Sequence, residues 1–284
     1  MKILVTGSTG FVGTYVINEL LGRNYEIIAT APDISKAMKY DWFAKVRFIN
    51  YSFDLFEDKR DLYEYFERPD KLIHLAWQGL PNYKALFHID KNLFSQYYFI
   101  KNLVENGLKD ITITGTCLEY GMQSGLLKED LVPAPANPYA LAKDCLRRFV
   151  EELQKDYVFS FKWLRLFYMF GKGQNPRSLI PLLQQAIDNN EEEFKMSGGD
   201  QIRDYLSIEE VARFVVLSSM QSSITGIINC CSGRPISVKQ FVNEYIASTN
   251  SKIKLNLGFY PYNDYEPMAF WGDNSKLNKI LEKL

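Results

Sequence analysis

The feature that most constrains the fold lies at the start of the chain, where a short apolar run leads directly into regularly spaced glycines. Residues 2–6 read KILVT, a pattern typical of a parallel strand buried on both faces. Gly7-x-x-Gly10-x-x-Gly13 follows, and apolar residues at helical spacing then predict an amphipathic helix. A strand, a glycine-rich turn and a helix in this order are typical of a dinucleotide-binding unit.

The three glycines would have separate roles in such a turn. Gly7 permits a tight turn, Gly10 lets a diphosphate approach bare backbone, and Gly13 lets the helix pack close to its strand. Free N–H groups at the positive end of the helix would face the anion. An ordinary glycine-rich turn is the alternative, but the position between a strand and a helix favours a dinucleotide site. The coenzyme contacts predicted in this segment are Gly7, Thr9, Gly10, Phe11, Val12 and Gly13.

Length, charge and cysteine content bound the class of protein. The 284 residues suit a large first domain and a smaller second one, and 46% hydrophobic residues can form a proper core. The net charge of −1 gives no field that would attract nucleic acid or an anionic membrane. The four cysteines form neither a disulfide framework nor a C-x-x-C metal pattern. Because we find no signal peptide and no apolar run that could span a bilayer, we expect a cytoplasmic protein without a metal site.

Strands and helices alternate after the first helix. The predicted strands cover residues 25–30, 46–51, 72–76, 110–116 and 227–230. A predicted helix runs from about residue 88 to residue 106 and ends at Gly107, a residue typical of helix ends. Such alternation requires right-handed crossovers and a parallel sheet. The predicted fold class is therefore α/β, a doubly wound parallel sheet of the Rossmann type.

The end of the second strand bears on the choice of coenzyme. In NAD-specific folds of this kind, an acidic residue at that place binds the ribose hydroxyls. Thr30 or Ala31 occupies it here, and Asp33 lies beyond a proline. We therefore favour NADP(H) over NAD(H), with Lys36 or Lys39 as the partner of the extra phosphate. The alternative is NAD(H), with Asp33 as the ribose ligand.

A second chemical signal lies in the middle of the chain. Tyr139 follows Asn137 and Pro138, a typical helix start, and Lys143 comes four residues later on the same helix face. An exposed Tyr–Lys pair on a helix usually has no function. Here Thr116 ends the fifth strand, whose carboxyl end faces the crevice where such folds bind their ligand. The three residues together therefore predict an active site.

The motifs of this chain, taken in order, resemble those of a known family. The chain resembles the extended short-chain dehydrogenases/reductases, a group of NAD(P)-dependent nucleotide-sugar epimerases, dehydratases and reductases. The resemblance covers nearly the whole chain. The motifs that carry it are the glycine motif, Asp54-Leu55, His74-Leu75-Ala76, Asn92, Thr116 with Tyr120-Gly121, Tyr139-x-x-x-Lys143, Leu164-Arg165-Leu166-Phe167, Phe170-Gly171, Arg203-Asp204-Tyr205, and Asn229 with Ser232-Gly233.

This resemblance implies a role for each catalytic residue. Tyr139 would be the general acid/base, and Lys143, together with an oxidised nicotinamide, would lower the pKa of its phenol from about 10. Thr116 would donate a hydrogen bond to the reacting oxygen. The further coenzyme contacts would be Asp54, Leu55, Leu75, Ala76, Asn92, Tyr139 and Lys143. The substrate contacts would be Trp77, Thr116, Cys117, Arg177 and Arg203.

Two of these residues have a plainer interpretation. Arg203 would bind the diphosphate of a nucleotide sugar, for which its planar donor fork is suited. It could instead form a surface ion pair with Asp204. Asn92 could be a structural or water-relay residue in its helix, or merely a residue on the helix surface.

The resemblance also implies how the chain is organised. A dinucleotide-binding domain would comprise residues 1–167 and a return segment at 205–232. A smaller C-terminal lobe, made of residues 168–204 and 233–284, would bind the nucleotide sugar. A homodimer would form through the helix near residues 94–103 and the helix that begins at Tyr139. Aromatic residues on these helices supply surface for a partner: Phe94, Tyr97, Tyr98 and Phe149.

The residues around Thr116 narrow the choice of reaction. Dehydratases of the family carry Asp-Glu directly after this threonine, where the present chain has Cys-Leu, and Glu119 comes one position too late. GDP-fucose synthases use a Cys–His pair. Cys117 is near enough for that chemistry, but His74 lies in the fourth strand and His88 is expected far from the sugar. Water elimination and this type of epimerisation are therefore not favoured.

Two reactions remain, reduction of a sugar ketone and 4-epimerisation. The short chain and the segment at residues 77–83 look more like those of 4-keto-6-deoxyhexose reductases than of UDP-galactose 4-epimerases. Tyr168 replaces the Asn that normally follows Phe167, which changes the expected sugar contacts. We predict NAD(P)H-dependent reduction of the C-4 ketone of a nucleotide-linked 4-keto-6-deoxyhexose, with 4-epimerisation as the alternative. A non-catalytic NAD(P) sensor is less favoured because the threonine, tyrosine and lysine are all present.

Overall fold

The computed structural model describes residues 1–53 and 58–283 and contains a large parallel sheet flanked by helices. The strands are β1 (Lys2–Thr6), β2 (Glu26–Ala31), β3 (Arg47–Asn50), β4 (Lys71–His74), β5 (Asp110–Thr116), β6 (Gly125–Leu127), β7 (Ser160–Leu166), β8 (Tyr168–Phe170), β9 (Glu193–Lys195), β10 (Ile202–Arg203), β11 (Tyr205–Ser207), β12 (Gly226–Cys230), β13 (Ile236–Ser237), β14 (Lys254–Asn256) and β15 (Phe270–Gly272). The α-helices are α1 (Phe11–Gly22), α2 (Ile34–Ala37), α3 (Leu62–Tyr65), α4 (Phe94–Glu105), α5 (Pro138–Asp156), α6 (Leu179–Asp188), α7 (Ile208–Met220), α8 (Val238–Ser248) and α9 (Ser275–Leu281). Two predicted coenzyme contacts, Asp54 and Leu55, lie outside the described residues.

Seven strands form the main sheet, in the order β12-β7-β5-β4-β1-β2-β3. Every neighbouring pair is parallel, which confirms the predicted α/β class with a Rossmann-type sheet. The order changes direction between β1 and β4. In open sheets of this kind, ligands bind outside the carboxyl ends of the strands at such a switch point. Thr6, at the end of β1, is in register with Thr30 of β2 and His74 of β4, so these residues lie at the carboxyl edge.

Alternate residues of the central strands pack into two hydrophobic layers, one on each face of the sheet. Leu4 belongs to the layer that contains residues of α4 and α5. Its neighbours Ile3 and Val5 belong to the other layer, with residues of α1 and α7. Burial on both faces explains why residues 2–6 form a nearly continuous apolar run.

The other strands pair two by two outside the main sheet. The pairs are β6 with β15, β8 with β11, β9 with β14 and β10 with β13. A separate apolar cluster includes Leu183 of α6, Phe194 of β9 and Val242 of α8. The proposed division into a coenzyme domain and a substrate lobe, with boundaries at residues 167, 205 and 232, stays a prediction.

Two local features differ from the sequence-based expectations. The helix predicted over residues 88–106 begins with a π-helical segment, His88–Leu93, before α4 continues it. No strand was predicted at β7 because Lys162 and Arg165 interrupt its apolar pattern. Both side chains are fully buried and ion-paired, Lys162 with Asp110 at 2.8 Å and Arg165 with Glu119 at 2.8 Å.

None of the described helices is long and apolar enough to cross a bilayer.

Candidate active site

A cleft of about 690 Å³ opens at the carboxyl edge of the main sheet. The glycine turn and α1 form one end of it, and β5 and α5 form its floor around the predicted catalytic residues. The wall is completed by residues 167–169, which follow β7, and by the carboxylate of Glu266 from the C-terminal part of the chain. The predicted site residues that line the cleft are Gly7, Gly10, Phe11, Val12, Gly13, Leu75, Trp77, Thr116, Cys117, Tyr139 and Lys143.

The glycine turn has the geometry that a dinucleotide diphosphate requires. Gly7 has φ +68°, a left-handed conformation that favours glycine. A Cβ on Gly13 would lie 2.1 Å from the carbonyl oxygen of Gly7, so only glycine lets α1 start this close to β1. Gly10 caps α1 without a side-chain hydrogen bond, and the first turn of this twelve-residue helix lines the cleft. Bare backbone and a positive helix end at this place fit an anionic group.

The residues after β2 are arranged differently from those of a typical NAD site. The carboxylate of Asp33 accepts a hydrogen bond from Lys36 N at 3.0 Å and thereby caps the short helix α2. Lys36 itself lines the cleft beside the glycine turn. The Asp33 carboxylate therefore forms its hydrogen bond within its own loop. Lys36 faces the end of the cleft that the glycine turn forms.

The predicted catalytic residues lie together on the floor of the cleft. Asn137 caps α5 by accepting a hydrogen bond from Ala140 N at 2.9 Å, which fixes the start of the helix just before Tyr139. Lys143, one turn later, donates to the carbonyl oxygen of Thr114 on β5 at 2.8 Å. The side chains of Tyr139 and Lys143 are both almost completely buried.

Burial changes the pKa of both residues. Burial lowers the pKa of Lys143 to about 7, and the negative charge of Glu119 opposes that shift. Burial raises the pKa of Tyr139 well above its ordinary value, and a hydrogen bond with Thr116 acts against the rise. Desolvation of the buried phenolate is the main cause of the rise. The predicted lowering of the Tyr139 pKa involves Lys143 together with an oxidised nicotinamide, and it stays a prediction for the coenzyme complex.

Trp77 and His88 form a rigid wall beside this pair. The Trp77 ring centre lies 4.1 Å from the Lys143 ammonium, a typical cation–π distance. Trp77 Nε1 donates to His88 Nδ1 at 3.0 Å, and His88 Nε2 lies 3.0 Å from the carbonyl oxygen of Asn82. This pattern assigns the proton to Nε2 of His88. The expectation that His88 lies far from the site was wrong, because its ring centre is 5.3 Å from that of Tyr139.

Some predicted contacts lie next to the cleft without lining it. Asn92 is buried behind the Trp77–His88 pair, where its amide donates to the carbonyl oxygen of Gln78 at 2.9 Å. This arrangement agrees with the structural interpretation of Asn92. Thr9 and Ala76 are buried beside the glycine turn and do not belong to the described cleft lining.

The two predicted substrate arginines are placed differently from each other. Arg177 is exposed on the turn before α6, where its neighbours Asn175 and Ser178 line the cleft instead. Arg203 is buried, and its guanidinium donates to Glu266 at 3.0 Å. It is Glu266 rather than Arg203 that lines the cleft. The alternative, a surface ion pair between Arg203 and Asp204, is not present either. The Asp204 carboxylate instead accepts hydrogen bonds from the backbone N–H groups of Ser232 and Gly233, which follow β12.

Several residues at the site were not recognised in the sequence. Tyr83 lines the cleft, with its ring centre 5.5 Å from that of Tyr139, and its carbonyl oxygen accepts a hydrogen bond from Tyr139 N at 3.1 Å. The aromatic segment at residues 77–83 was the only signal for it. Glu266 belongs to no motif and comes from a distant part of the chain. Glu119 was noted only as a misplaced dehydratase residue, although it lies buried directly beneath Thr116.

The parallel sheet and the Thr–Tyr–Lys cluster define an enzyme of the extended short-chain dehydrogenase/reductase class. The sequence pattern of the NAD dependent epimerase/dehydratase family matches residues 3–231, and the chain belongs to this family. It is 31% identical to a dTDP-6-deoxy-L-talose 4-dehydrogenase (NAD(+)) of Aggregatibacter actinomycetemcomitans, over 96% of this chain and 99% of that one.

Other similar proteins are also named as enzymes of nucleotide sugars. A dTDP-4-dehydro-6-deoxyglucose reductase of Escherichia coli is 25% identical, over 88% of this chain and 82% of its own. Among solved structures, the UDP-glucuronic acid 4-epimerase of Bacillus cereus, in complex with UDP-glucuronic acid and NAD, superposes with a TM-score of 0.83. It is 22% identical, with 99% of this chain and 93% of that chain covered, and shows the shared fold.

Proposed function

We propose that this protein reduces the C-4 ketone of a nucleotide-linked 4-keto-6-deoxyhexose with NAD(P)H, a reaction of deoxysugar biosynthesis. One observation carries the proposal: Thr116, Tyr139 and Lys143 lie together in the cleft without a free second acid/base pair beside them among the described residues. Burial raises the pKa of the Cys117 thiol, and both ring nitrogens of His88 are engaged in hydrogen bonds. C-3 or C-5 epimerisation and elimination need such a pair, whereas ketone reduction and 4-epimerisation do not, and the names of relatives favour the reduction.

The cleft residues can each perform a step of this reaction. The glycine turn and Lys36 would hold a nicotinamide coenzyme, which would supply the hydride for C-4. Tyr139 is a protonated phenol at neutral pH, so it can donate its proton to the ketone oxygen. Thr116 would hold the same oxygen through its hydroxyl group, and the Lys143 ammonium would stabilise the phenolate that remains. Trp77 and Tyr83 would exclude water from one side of the sugar.

The names of two relatives guide the choice of substrate. A dTDP-6-deoxy-L-talose 4-dehydrogenase and a dTDP-4-dehydro-6-deoxyglucose reductase both act, by name, at C-4 of a dTDP-linked 6-deoxyhexose. We therefore propose a dTDP-linked sugar as the first substrate to test. The 4-epimerase alternative is supported by the cleft residues, because Thr116, Tyr139 and Lys143 would also serve hydride removal and return at C-4.

For the coenzyme we favour NADP(H) over NAD(H). Asp33 is engaged in capping α2, so its carboxylate would have to give up that hydrogen bond to hold ribose hydroxyls. Lys36 lines the cleft and could pair with a 2′-phosphate. The dTDP-6-deoxy-L-talose 4-dehydrogenase relative uses NAD(+) by name, so the two coenzymes must be compared directly.

Coenzyme stoichiometry tests the reaction. The purified protein is mixed with dTDP-4-dehydro-6-deoxyglucose and either NADPH or NADH, and coenzyme oxidation is followed together with the alcohol product. We expect one coenzyme oxidised per alcohol formed, at a higher kcat/KM with NADPH. A parallel reaction contains UDP-glucose and no added reductant. Equilibration of UDP-glucose with UDP-galactose in that reaction would overturn the reductase proposal, and a strong preference for NADH would overturn the coenzyme proposal.

A further inference from the structure

A buried ion pair lies directly beneath the predicted catalytic threonine. Glu119 is part of the 3₁₀ turn Cys117–Tyr120, which follows β5 without a break. Its Oε1 accepts hydrogen bonds from Thr116 N at 2.9 Å and from Trp163 Nε1 at 3.0 Å, and its Oε2 accepts from Arg165 Nε at 2.8 Å. The side chains of Glu119, Trp163 and Arg165 are all completely buried. Although burial raises the pKa of Glu119, both its oxygens accept from N–H groups, as an ionised carboxylate does.

Glu119 and Lys143 contact the same short stretch of β5. Lys143 donates to the carbonyl oxygen of Thr114, and Glu119 accepts from the N–H of Thr116. Gly115 lies between these two contacts. A Cβ on Gly115 would be 2.4 Å from Glu119 Oε1 and 2.2 Å from Trp163 Nε1, so the absence of a side chain here makes room for the carboxylate.

The other titratable groups near Lys143 do not provide a negative charge. His74, on β4, and His88, on the π-helical segment, are both neutral at pH 7 because burial lowers the pKa of each. Tyr139, on α5, is a neutral phenol because burial raises its pKa. Trp77 contributes the face of its ring. Within the described residues, Glu119 is the carboxylate whose charge acts on the Lys143 ammonium.

We propose that Glu119 is a positioning residue that provides the counter-charge for Lys143 and holds the backbone of Thr116 in place. Arg165 and Trp163 fix the carboxylate, and the carboxylate in turn acts on both catalytic neighbours. The consequence for turnover rests on the proposed ketone reduction. The charge interaction itself does not depend on the reaction and can be measured without substrate.

This proposal predicts how Lys143 titrates. Burial lowers the Lys143 pKa to about 7, whereas an ordinary lysine stays protonated to about pH 10. The Lys143 side-chain signal should therefore change near neutrality in a protein with ¹³C,¹⁵N-labelled lysine. Because a negative charge favours the ammonium form, Glu119→Gln should move the midpoint to lower pH by at least about 0.5 units. Comparison with Lys143→Met assigns the signal.

Two further variants separate charge from shape and from general destabilisation. Glu119→Asp keeps the charge and should leave the Lys143 midpoint closer to wild type than Glu119→Gln does. Asp110→Asn removes a carboxylate from the opposite end of β5, where Asp110 pairs with Lys162 at 2.8 Å. This control should move the Lys162 signal and leave the Lys143 signal in place. If Glu119→Gln does not fold because Arg165 is left unpaired, Glu119→Gln combined with Arg165→Met removes both charges. The midpoint should still move to lower pH, but by less than expected for Glu119→Gln alone, because loss of the Arg165 cation favours the Lys143 ammonium.

The outcomes are distinguishable from a failure of the proposed function. An unchanged Lys143 midpoint in Glu119→Gln, or an equal shift in Asp110→Asn, would overturn the proposal. If the midpoint moves as expected but the protein does not reduce the 4-keto sugar, the charge interaction stands and the substrate assignment fails. With an active reductase, the pH at which kcat falls should move downward with the Lys143 midpoint.

Discussion

Burial determines how the central residues of this site ionise. Burial raises the pKa of the Tyr139 phenol, which is therefore neutral at pH 7, and lowers the pKa of Lys143 to about 7. A protonated tyrosine is the form required for a reduction, in which the ketone oxygen must gain a proton. Because Lys143 is an ammonium only below about pH 7, its contribution should decline as the pH rises through neutrality. The protonated phenol fits the proposed role of Tyr139 as proton donor.

The hydroxyl group of Tyr139 is the most direct residue-level test. Tyr139→Phe removes only that group and should lower kcat by about 10²–10⁴-fold, the usual contribution of a general acid. Coenzyme affinity and melting temperature should stay close to wild type, since the ring contacts with Trp77 and Tyr83 are retained. Stopped-flow and steady-state kinetics with the 4-keto sugar measure the effect. A variant with near-normal turnover would show that another group donates the proton.

His74 should make the folded protein sensitive to acid. Burial lowers its pKa from 6.5 to about 3, and the Lys143 charge adds to the shift. The unfolded chain therefore binds a proton at His74 between pH 6.5 and 3 that the folded protein does not bind, so stability falls as the pH falls. From pH 7 to pH 5 the loss should be about 2 kcal/mol. Lys143 adds only a small slope in this range, because its proton uptake in the folded protein is complete just below pH 7 and most of its window lies between pH 7 and 10.

Urea unfolding at the two pH values checks this effect in wild type and in His74→Asn. The variant removes the titrating ring but keeps a polar group that can contact Thr6, whose hydroxyl lies 2.9 Å from His74 Nδ1. We expect the free energy of unfolding of the variant to depend on pH by about 2 kcal/mol less than that of wild type. Equal pH dependence in both proteins would contradict the assignment to His74.

At the scale of the element, the close approach of α1 to β1 depends on one glycine. A methyl group on Gly13 would lie 2.1 Å from the Gly7 carbonyl oxygen, which is backbone and cannot rotate away. Gly13→Ala should therefore lower the free energy of unfolding by about 1–3 kcal/mol and weaken coenzyme binding. A methyl group on Gly22, at the end of the same helix, would instead point into open space, with no packing neighbour within 4 Å among the described residues.

Gly22→Ala is accordingly a matched control for the Gly13 substitution. It should leave coenzyme binding unchanged and raise the free energy of unfolding by up to about 1 kcal/mol, because alanine favours the helix. Urea unfolding and titration calorimetry with the coenzyme measure both effects. Similar behaviour of the two variants would show that the glycine turn is not as tight as described.

The sequence allowed the main sheet to be predicted because its strands are buried on both faces. Such strands produce continuous apolar runs, and the glycine turn and the start of α5 carry local signals of their own. The prediction failed at β7, where Lys162 and Arg165 interrupt the apolar run. Their burial is possible only because Asp110 and Glu119, distant in sequence, provide opposite charges. Long-range pairing of this kind leaves no local pattern.

The part of the site that could be predicted also depends on local sequence patterns. Thr116, Tyr139 and Lys143 were found because their spacing follows from one strand and one helix. The position of His88 beside Tyr139 was missed, since a π-helical segment changes the direction of the side chains by a fraction of a turn. The strong desolvation of Tyr139 was also missed, because the degree of burial depends on how separate segments pack. Glu266 reaches the cleft from a distant segment without any motif.

At the scale of the whole molecule, the exposed surface of α4 and α5 is a candidate interface for a homodimer. Tyr98 on α4 is 36% exposed and Leu141 on α5 is 42% exposed, while Tyr97 and Phe149 pack against each other between the helices at 5.4 Å. Large apolar side chains on two adjacent helices favour a partner surface. We propose that a second copy of the chain covers it, in a two-fold arrangement in which each α4–α5 pair contacts its counterpart.

Light scattering after size exclusion tests this homodimer. We expect a particle of twice the chain mass at micromolar concentration. Leu141→Glu combined with Tyr98→Glu should shift the equilibrium to monomer, because charges would be buried at the centre of the interface. Leu182→Glu is the matched control, since Leu182 is 41% exposed on α6, away from this surface, and should leave the dimer intact. A monomeric wild-type protein would contradict the homodimer. Loss of the dimer in Leu182→Glu alone would place the interface elsewhere.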